Sequence, residues 1–410
     1  MPEKLEIFAK RPWISMKLQG LVILALLLTG CGGGVSGGAS NGGGSNSTPT
    51  SGSEFLYATS SNNIYVFVIN PTTGALSDYT VTALPKTNRL ITTNTVEDPE
   101  GKFLYYFDAP DSDIESFSIS ANGSLTPSVG SPFSAGTSNN PGGLGWLAID
   151  PGGRFLYFAI PLGVTFPNPV GVGVFSIDRP TGSLTPVPGS PFSDIDLPFG
   201  VLADPAGKFV YVANADSTLS GFEVDPGSGT LTPIPGSPFP TPVEAVLFYT
   251  AADPAGRFLY ASFPFTNTVG PSPPAPIPAN SIAAWSIDST TGSLTVVSGS
   301  PFVTGNVPGQ MVIDPAGKFL YVPNAQDRTV SGFTIDAVSG ALTPMTGSPF
   351  AISVASLAID PSGKFLFARI GATVAGFSIN ASTGSLTAVG NAAPLPAGDP
   401  ARELTTVKVP

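Results

Sequence analysis

Short apolar and aromatic runs recur along the chain from about residue 53, separated by clusters of Gly, Pro, Asp, Asn and Ser. Runs of this length between turn-forming residues read as β-strands. One segment gives the scheme. Gln310 to Ile313 is a first strand, and Asp314-Pro315-Ala316-Gly317 is a tight turn in which Pro presets φ and Asp bonds its own backbone. Lys318 to Val322 forms a second strand, Thr329 to Ile335 a third, and Ser339-Gly340 turns the chain into a fourth from Leu342 to Met345. Near-continuous apolar strands fit a sheet covered on both faces.

The scheme repeats. Asp-Pro-x-Gly-(Lys/Arg)-Phe-(Leu/Val)-(Tyr/Phe) starts at Asp98, Asp150, Asp204, Asp253, Asp314 and Asp360, with a truncated copy at Glu54-Phe55-Leu56-Tyr57. Gly-x-Leu occurs at Gly74, Gly123, Gly182, Gly229, Gly292, Gly340 and Gly384, and Gly-Ser-Pro-Phe ends at Phe133, Phe192, Phe239, Phe302 and Phe350. The full copies start 52, 54, 49, 61 and 46 residues apart, a period that suits four-stranded propeller blades. The first copy begins at its second strand, and the chain ends in Glu403 to Val409, an unpartnered first strand. The expected fold is therefore all-β. It is a seven-bladed propeller of antiparallel four-stranded blades over residues 53–410, closed by the C-terminal strand completing the first blade.

Composition narrows the function classes. The chain of 410 residues carries 17 Lys+Arg against 28 Asp+Glu, a net −11 that argues against a nucleic-acid partner. It has no His, the commonest general base, and 1 Cys, which excludes an intramolecular disulfide and thiolate metal sites. That Cys31 follows a basic residue, Lys17, and the apolar run Leu18 to Leu28, the layout of a secretory leader. Leu28-Thr29-Gly30-Cys31 resembles the bacterial lipobox, which implies lipid attachment at Cys31 after cleavage. Translation from Met16 would give a more compact leader than translation from Met1. The Gly, Ser, Asn and Thr of residues 32–52 read as a flexible tether. Gly32 lacks the Asp of inner-membrane retention, so the expectation is an extracytoplasmic, lipid-anchored protein at the outer membrane or surface of a bacterium.

The repeats also resemble a known family. Tyr211-Val212-Ala213-Asn214 and Tyr321-Val322-Pro323-Asn324 look like the Tyr-Val-x-Asn signature of surface propellers. The whole repeat is similar to the seven-bladed lactonase family, which includes 6-phosphogluconolactonase-like proteins. The resemblance implies the propeller fold and places Arg, His and Glu of enzymatic members near the start of innermost strands. This chain departs from that pattern: only Pro400-Ala401-Arg402-Glu403 keeps an Arg close by.

Candidate chemistry is sparse. The repeated Asp and the basic residues Lys102, Arg154, Lys208, Arg257, Lys318 and Lys364 recur in every full copy, which marks architecture. Loops leading into first strands and loops joining second to third strands share one face of a propeller, and a ligand is expected at the axial mouth there. That face gathers Lys86, Arg89, Asp194, Asp196, Glu244, Gln310, Asp399, Arg402 and Glu403. A lactonase would use Arg402 to polarise the carbonyl and Glu244 or Glu403 as base. Adjacent strand residues diverge, however, so Arg402 and Glu403 are not expected to face the channel together. Lys86, Arg89, Trp146, Phe199 and Gln310 are the ligand-binding candidates, while Trp285 reads as blade core. The proline-rich insertion from Pro264 to Asn280 reads as a stiff projecting loop. No metal or cofactor is expected. The leading expectation is a monomeric binding module at the cell envelope, with an envelope protein, a glycan or a small molecule as partner. The alternatives are a hydrolase acting on a sugar lactone or related cyclic ester, and a structural surface protein.

Overall fold

In the computed structural model the residues described are 53–85, 94–108, 111–135, 146–160, 171–192, 195, 198–214, 216–242, 245–266, 280–354, 356–396, 398–399 and 401–410. They build seven blades, each a four-stranded antiparallel core sheet. Three blades carry an added short rung, as where Phe239–Pro240 pairs with Thr218–Val224. The innermost strands of blades 1 to 7 are Glu403–Lys408, Thr95–Glu97, Leu147–Ile149, Pro198–Ala203, Tyr249–Ala252, Val312–Ile313 and Leu357–Ile359. Glu403–Lys408 pairs antiparallel with Glu54–Thr59, so the last strand completes the first blade as the sequence led us to expect. In blade 6 the third strand, Thr329–Ile335, has the expected bounds, and the first is shorter than expected, at Val312–Ile313.

The repeated motifs explain how one blade seats on the next. The Asp that closes each inner strand accepts backbone N–H bonds from the start of the second strand. Asp204 takes Lys208 N at 2.6 Å and Phe209 N at 2.7 Å, and Asp314 does the same for Lys318 and Phe319. The basic side chain beside it reaches across to the neighbouring blade. Arg154 donates to Pro226 O and Lys318 to Ala381 O, both at an outer turn of the following blade. The motif cations Arg154, Lys208, Arg257 and Lys318 are thus cross-blade ties, whereas Lys102 pairs with Glu100 of its own turn.

The Gly-x-Leu turn receives the motif Phe of the preceding blade. Gly182 has φ +72°, and a Cβ there would stand 2.3 Å from Phe103 Cδ1. Only glycine meets both demands, a left-handed backbone and a ring pressed against Cα. The motif Tyr then bonds the carbonyl of that glycine, as Tyr211 Oη does to Gly292 O at 2.7 Å and Tyr260 Oη to Gly340 O at 3.0 Å. The Ser of Gly-Ser-Pro-Phe accepts a third-strand N–H, as Ser237 Oγ does from Gly221 N at 3.0 Å. Tyr57, Tyr105, Tyr211, Tyr260 and Tyr321 are almost wholly buried between blades, and so is Trp285, the blade-core residue expected.

Blade 5 departs from the scheme at the mouth. Ala245–Val246 pairs with Phe265–Thr266 in a separate two-stranded sheet. The proline-rich insertion begins there, and residues 267–279 lie outside the described residues.

Candidate functional site

Register places one residue of each blade at the start of its inner strand, at a common level around the axis. Glu403 is opposite Thr59 in blade 1, and the equivalent positions are Asn94, Trp146, Gly200, Tyr249, Gln310 and Ser356. In the six full repeats this residue stands four before the motif Asp, as Trp146 does to Asp150 and Tyr249 to Asp253. The Asp is the same in every full repeat, whereas the residue four before it differs each time.

Three of these side chains clasp the free edge of the next blade. Ser356 Oγ accepts Leu404 N at 3.0 Å, and Glu403 Oε2 accepts Thr95 N at 2.8 Å. Asn94 Oδ1 accepts Leu147 N, and Asn94 Nδ2 donates to Leu147 O, both at 2.7 Å. These bonds satisfy inner-strand groups that have no further strand to pair with. Trp146, next around the ring, has no acceptor to offer. Its ring instead sits edge-on to Tyr249 at 5.1 Å and to Phe248 at 6.2 Å. Blade 4, between them, presents Gly200 at this level. A Cβ on Gly200 would stand 2.7 Å from Phe248 O. Trp146 Nε1 is buried without a hydrogen-bond partner among the described residues.

The mouth therefore has a polar arc, Ser356, Glu403 and Asn94, and an aromatic arc, Trp146 and Tyr249. Deeper along the inner strands the next level on the same side is Thr405, Val96, Ala148, Leu202, Ala251, Val312 and Ala358. Apart from Thr405 it is apolar. Thr405 Oγ1 donates to Glu97 Oε2 at 2.8 Å.

Electrostatics follow from burial. Glu403 is held well above the ordinary carboxyl range, by burial first and then by the Glu97 charge, against the opposing Thr95 hydrogen bond. Burial also raises Glu97, with the Thr405 bond opposing it. The Tyr249 hydroxyl is raised by burial and by Glu403. Asp399, on the loop leading into the blade 1 inner strand, goes the other way. Burial would raise it, but bonds from Ser60, Asn63, Tyr65 and Asn62 outweigh burial and hold it below its usual value.

The expected site residues fall into three groups. Trp146, Gln310 and Glu403 belong to the ring. Arg402 and Glu403 diverge: the Arg402 side chain donates through Nε to Ser61 Oγ at 2.9 Å, while Glu403 reaches blade 2. The structure thus does not unite them as an acid–base pair. Phe199, expected as a ligand-binding residue, is instead 3% exposed and lies stacked on Phe248 at 5.4 Å, so it offers no open face to a ligand. It lies in a register shift of the blade 4 inner strand, between Pro198 and Gly200, where it has no partner across the sheet. Cys31, Lys86, Arg89, Glu244, Asp194 and Asp196 lie outside the described residues. Sequence reasoning missed Asn94, Tyr249 and Ser356, although counting four residues back from each motif Asp would have found them. Among the described residues no group of three or more Asp, Glu, His or Cys side chains could hold a metal ion.

Comparison with known proteins supports this architecture. The sequence pattern of the family described as "Lactonase, 7-bladed beta-propeller" matches residues 94–248 and 251–355. A 6-phosphogluconolactonase candidate from Bacteroides fragilis superposes with a TM-score of 0.66 at 19% identity, covering 88% of this chain and 100% of that one. The periplasmic gluconolactonase of Pseudomonas aeruginosa gives 0.65 at 15% identity, over 87% of this chain and 100% of its own. A protein of unknown function from Desulfotomaculum acetoxidans gives 0.59 at 17% identity, over 87% and 98%. Among curated proteins none matches the chain significantly. At these identities the solved structures establish the shared fold.

Proposed function

The chain belongs to the lactonase family of seven-bladed β-propellers, and on that premise we propose that it binds a small polyhydroxylated lactone, or the sugar acid derived from one, at its axial mouth. The carrying observation is the ring in which a polar arc faces an aromatic arc, with the buried indole N–H of Trp146 left without an acceptor. An aromatic wall beside convergent hydrogen-bonding groups suits a sugar ring, which is apolar on its faces and polar at its edge. In this reading Cys31 carries a lipid, residues 32–52 tether the ring, and the mouth is displayed at a bacterial envelope.

Hydrolysis is the second reading, favoured by family membership and by the activity named for the Pseudomonas aeruginosa protein. Glu244 or Glu403 would serve as base in its ionised form, and Arg402 would polarise the carbonyl. The divergence of the two side chains, and the bond Glu403 already accepts from Thr95, favour binding over turnover.

One experiment separates the readings. The full chain is tested against a panel of sugar and aliphatic lactones for both binding and hydrolysis, with Trp146→Ala, Arg402→Ala and Glu244→Ala variants. Saturable binding that Trp146→Ala abolishes, without turnover above background, supports the binding module. Turnover that falls with Arg402→Ala or Glu244→Ala makes the protein a His-free lactonase. Neither binding nor turnover across the panel refutes both and leaves a structural surface protein.

A further inference from the structure

The hydrogen bonds of the polar arc run between neighbouring blades. Ser356 of blade 7 holds blade 1, Glu403 of blade 1 holds blade 2, and Asn94 of blade 2 holds blade 3. Trp146 of blade 3 reaches further. Its ring lies edge-on to Tyr249, which opens the blade 5 inner strand, and to Phe248, which precedes it. The contact therefore passes over blade 4.

Blade 4 makes room for that contact and holds it in place. Its inner strand shifts register between Pro198 and Gly200. The residue in the shift, Phe199, stacks on Phe248 with ring centroids 5.4 Å apart and planes at 17°. The next residue, Gly200, lies so close to the Phe248 main chain that a Cβ would stand 2.7 Å from its carbonyl oxygen. A backbone oxygen cannot swing aside as the end of a side chain can, so any larger residue at 200 has to move the main chain of blade 5. Two consecutive residues of blade 4 thus fix Phe248, one through its ring and the other through its carbonyl. Phe248 in turn lies 5.0 Å from Tyr249, and Tyr249 meets Trp146 at 5.1 Å and 74°. Aromatic rings attract at these separations and tilts.

We propose that Phe199 and Gly200 are positioning residues for the aromatic wall, and that the mouth holds a sugar ring only while Trp146 and Tyr249 touch. With no side chain at 200, the two rings close into one stacking surface. A side chain there pushes Phe248 off blade 4, draws Tyr249 away from Trp146 and splits that surface. This rests on the mouth being the ligand site, and it names what shapes the site.

The test reads the wall first without ligand. Near-ultraviolet circular dichroism of the full chain should show a band that both Trp146→Phe and Tyr249→Leu abolish, the signature of the pair, and Gly200→Ala should abolish it too. D-gluconate is then titrated calorimetrically into each protein. Gly200→Ala should weaken binding roughly tenfold in the wild-type background and leave it unchanged beside Tyr249→Leu, where the wall is already split. Equal losses in the two backgrounds mark a merely structural effect and overturn the proposal. So does a Gly200→Ala protein that keeps the band, or one that loses it with unchanged gluconate affinity. Gluconate binding that depends on Trp146 in those cases leaves the mouth reading intact. If wild type does not bind gluconate, both fail. Should Gly200→Ala not fold, Phe199→Leu decides. It loosens the other hold on Phe248, so the band should weaken, and an unchanged spectrum overturns the proposal.

Discussion

Each inner strand of the propeller has two ends, and they follow opposite rules. At the turn end Asp98, Asp150, Asp204, Asp253, Asp314 and Asp360 recur without change, each accepting backbone N–H groups of its own turn. At the mouth end, four residues earlier, the blades present Asn94, Trp146, Gly200, Tyr249, Gln310 and Ser356, no two alike. The turn end solves one problem, how to seat a blade on its neighbour, and the same answer serves every time. The mouth end lies at the start of the inner strands, and there each blade presents a different residue. A residue type that repeats in every blade is therefore architecture. A register position at which the residue type changes from blade to blade is where recognition belongs.

That contrast predicts separable failures. The largest loss should come from the turn side of the blades. Gly182→Ala forces a Cβ onto the Phe103 ring from a left-handed backbone. Strain and overpacking together should cost about 3 kcal/mol of stability, read as a shift in denaturant midpoint at unchanged slope. Ligand affinity of the molecules that remain folded should be unchanged. A stable Gly182→Ala protein with altered affinity would break the division between the two ends.

A smaller effect concerns Tyr211→Phe, which removes the bond to Gly292 O between blades 4 and 5. The expected loss is about 1 kcal/mol, by chemical denaturation, again without change at the mouth.

Glu403→Gln should have the smallest effect on stability near pH 5 and the sharpest effect on its pH dependence. The native carboxyl sits above its unfolded value near 4.5 because it is buried. The folded chain thus keeps a proton that the unfolded chain releases. Its contribution is complete below the unfolded value and is lost as pH rises through the native one. Denaturant midpoints of wild type should fall across that window, and those of Glu403→Gln should fall less. Glu97, raised in the same way, leaves a residual slope in the variant. Parallel pH profiles for the two proteins would contradict the buried, protonated state assigned to Glu403.

Much of this contrast could be read from the chain itself. The blade count, the strand order and the closing strand Glu403–Lys408 were visible because turn chemistry is local: Asp-Pro-x-Gly dictates its own conformation. The mouth was only half visible. Trp146 and Gln310 stood out by residue type, whereas Tyr249 and Ser356 looked ordinary until register set them level with Glu403. Phe199 misled because it sits in a register shift between Pro198 and Gly200, which the sequence does not announce, and its ring is buried against Phe248.

The most direct test uses the tryptophans. The chain has 3: Trp13, outside the described residues, Trp285 buried in a blade, and Trp146 at the mouth. Titration of the full chain with D-gluconate should change the intrinsic emission with saturation. The change should vanish in Trp146→Phe and persist in Trp285→Phe. A saturable change that survives Trp146→Phe, or saturable binding with no change of emission in wild type, would contradict a ligand site at the axial mouth.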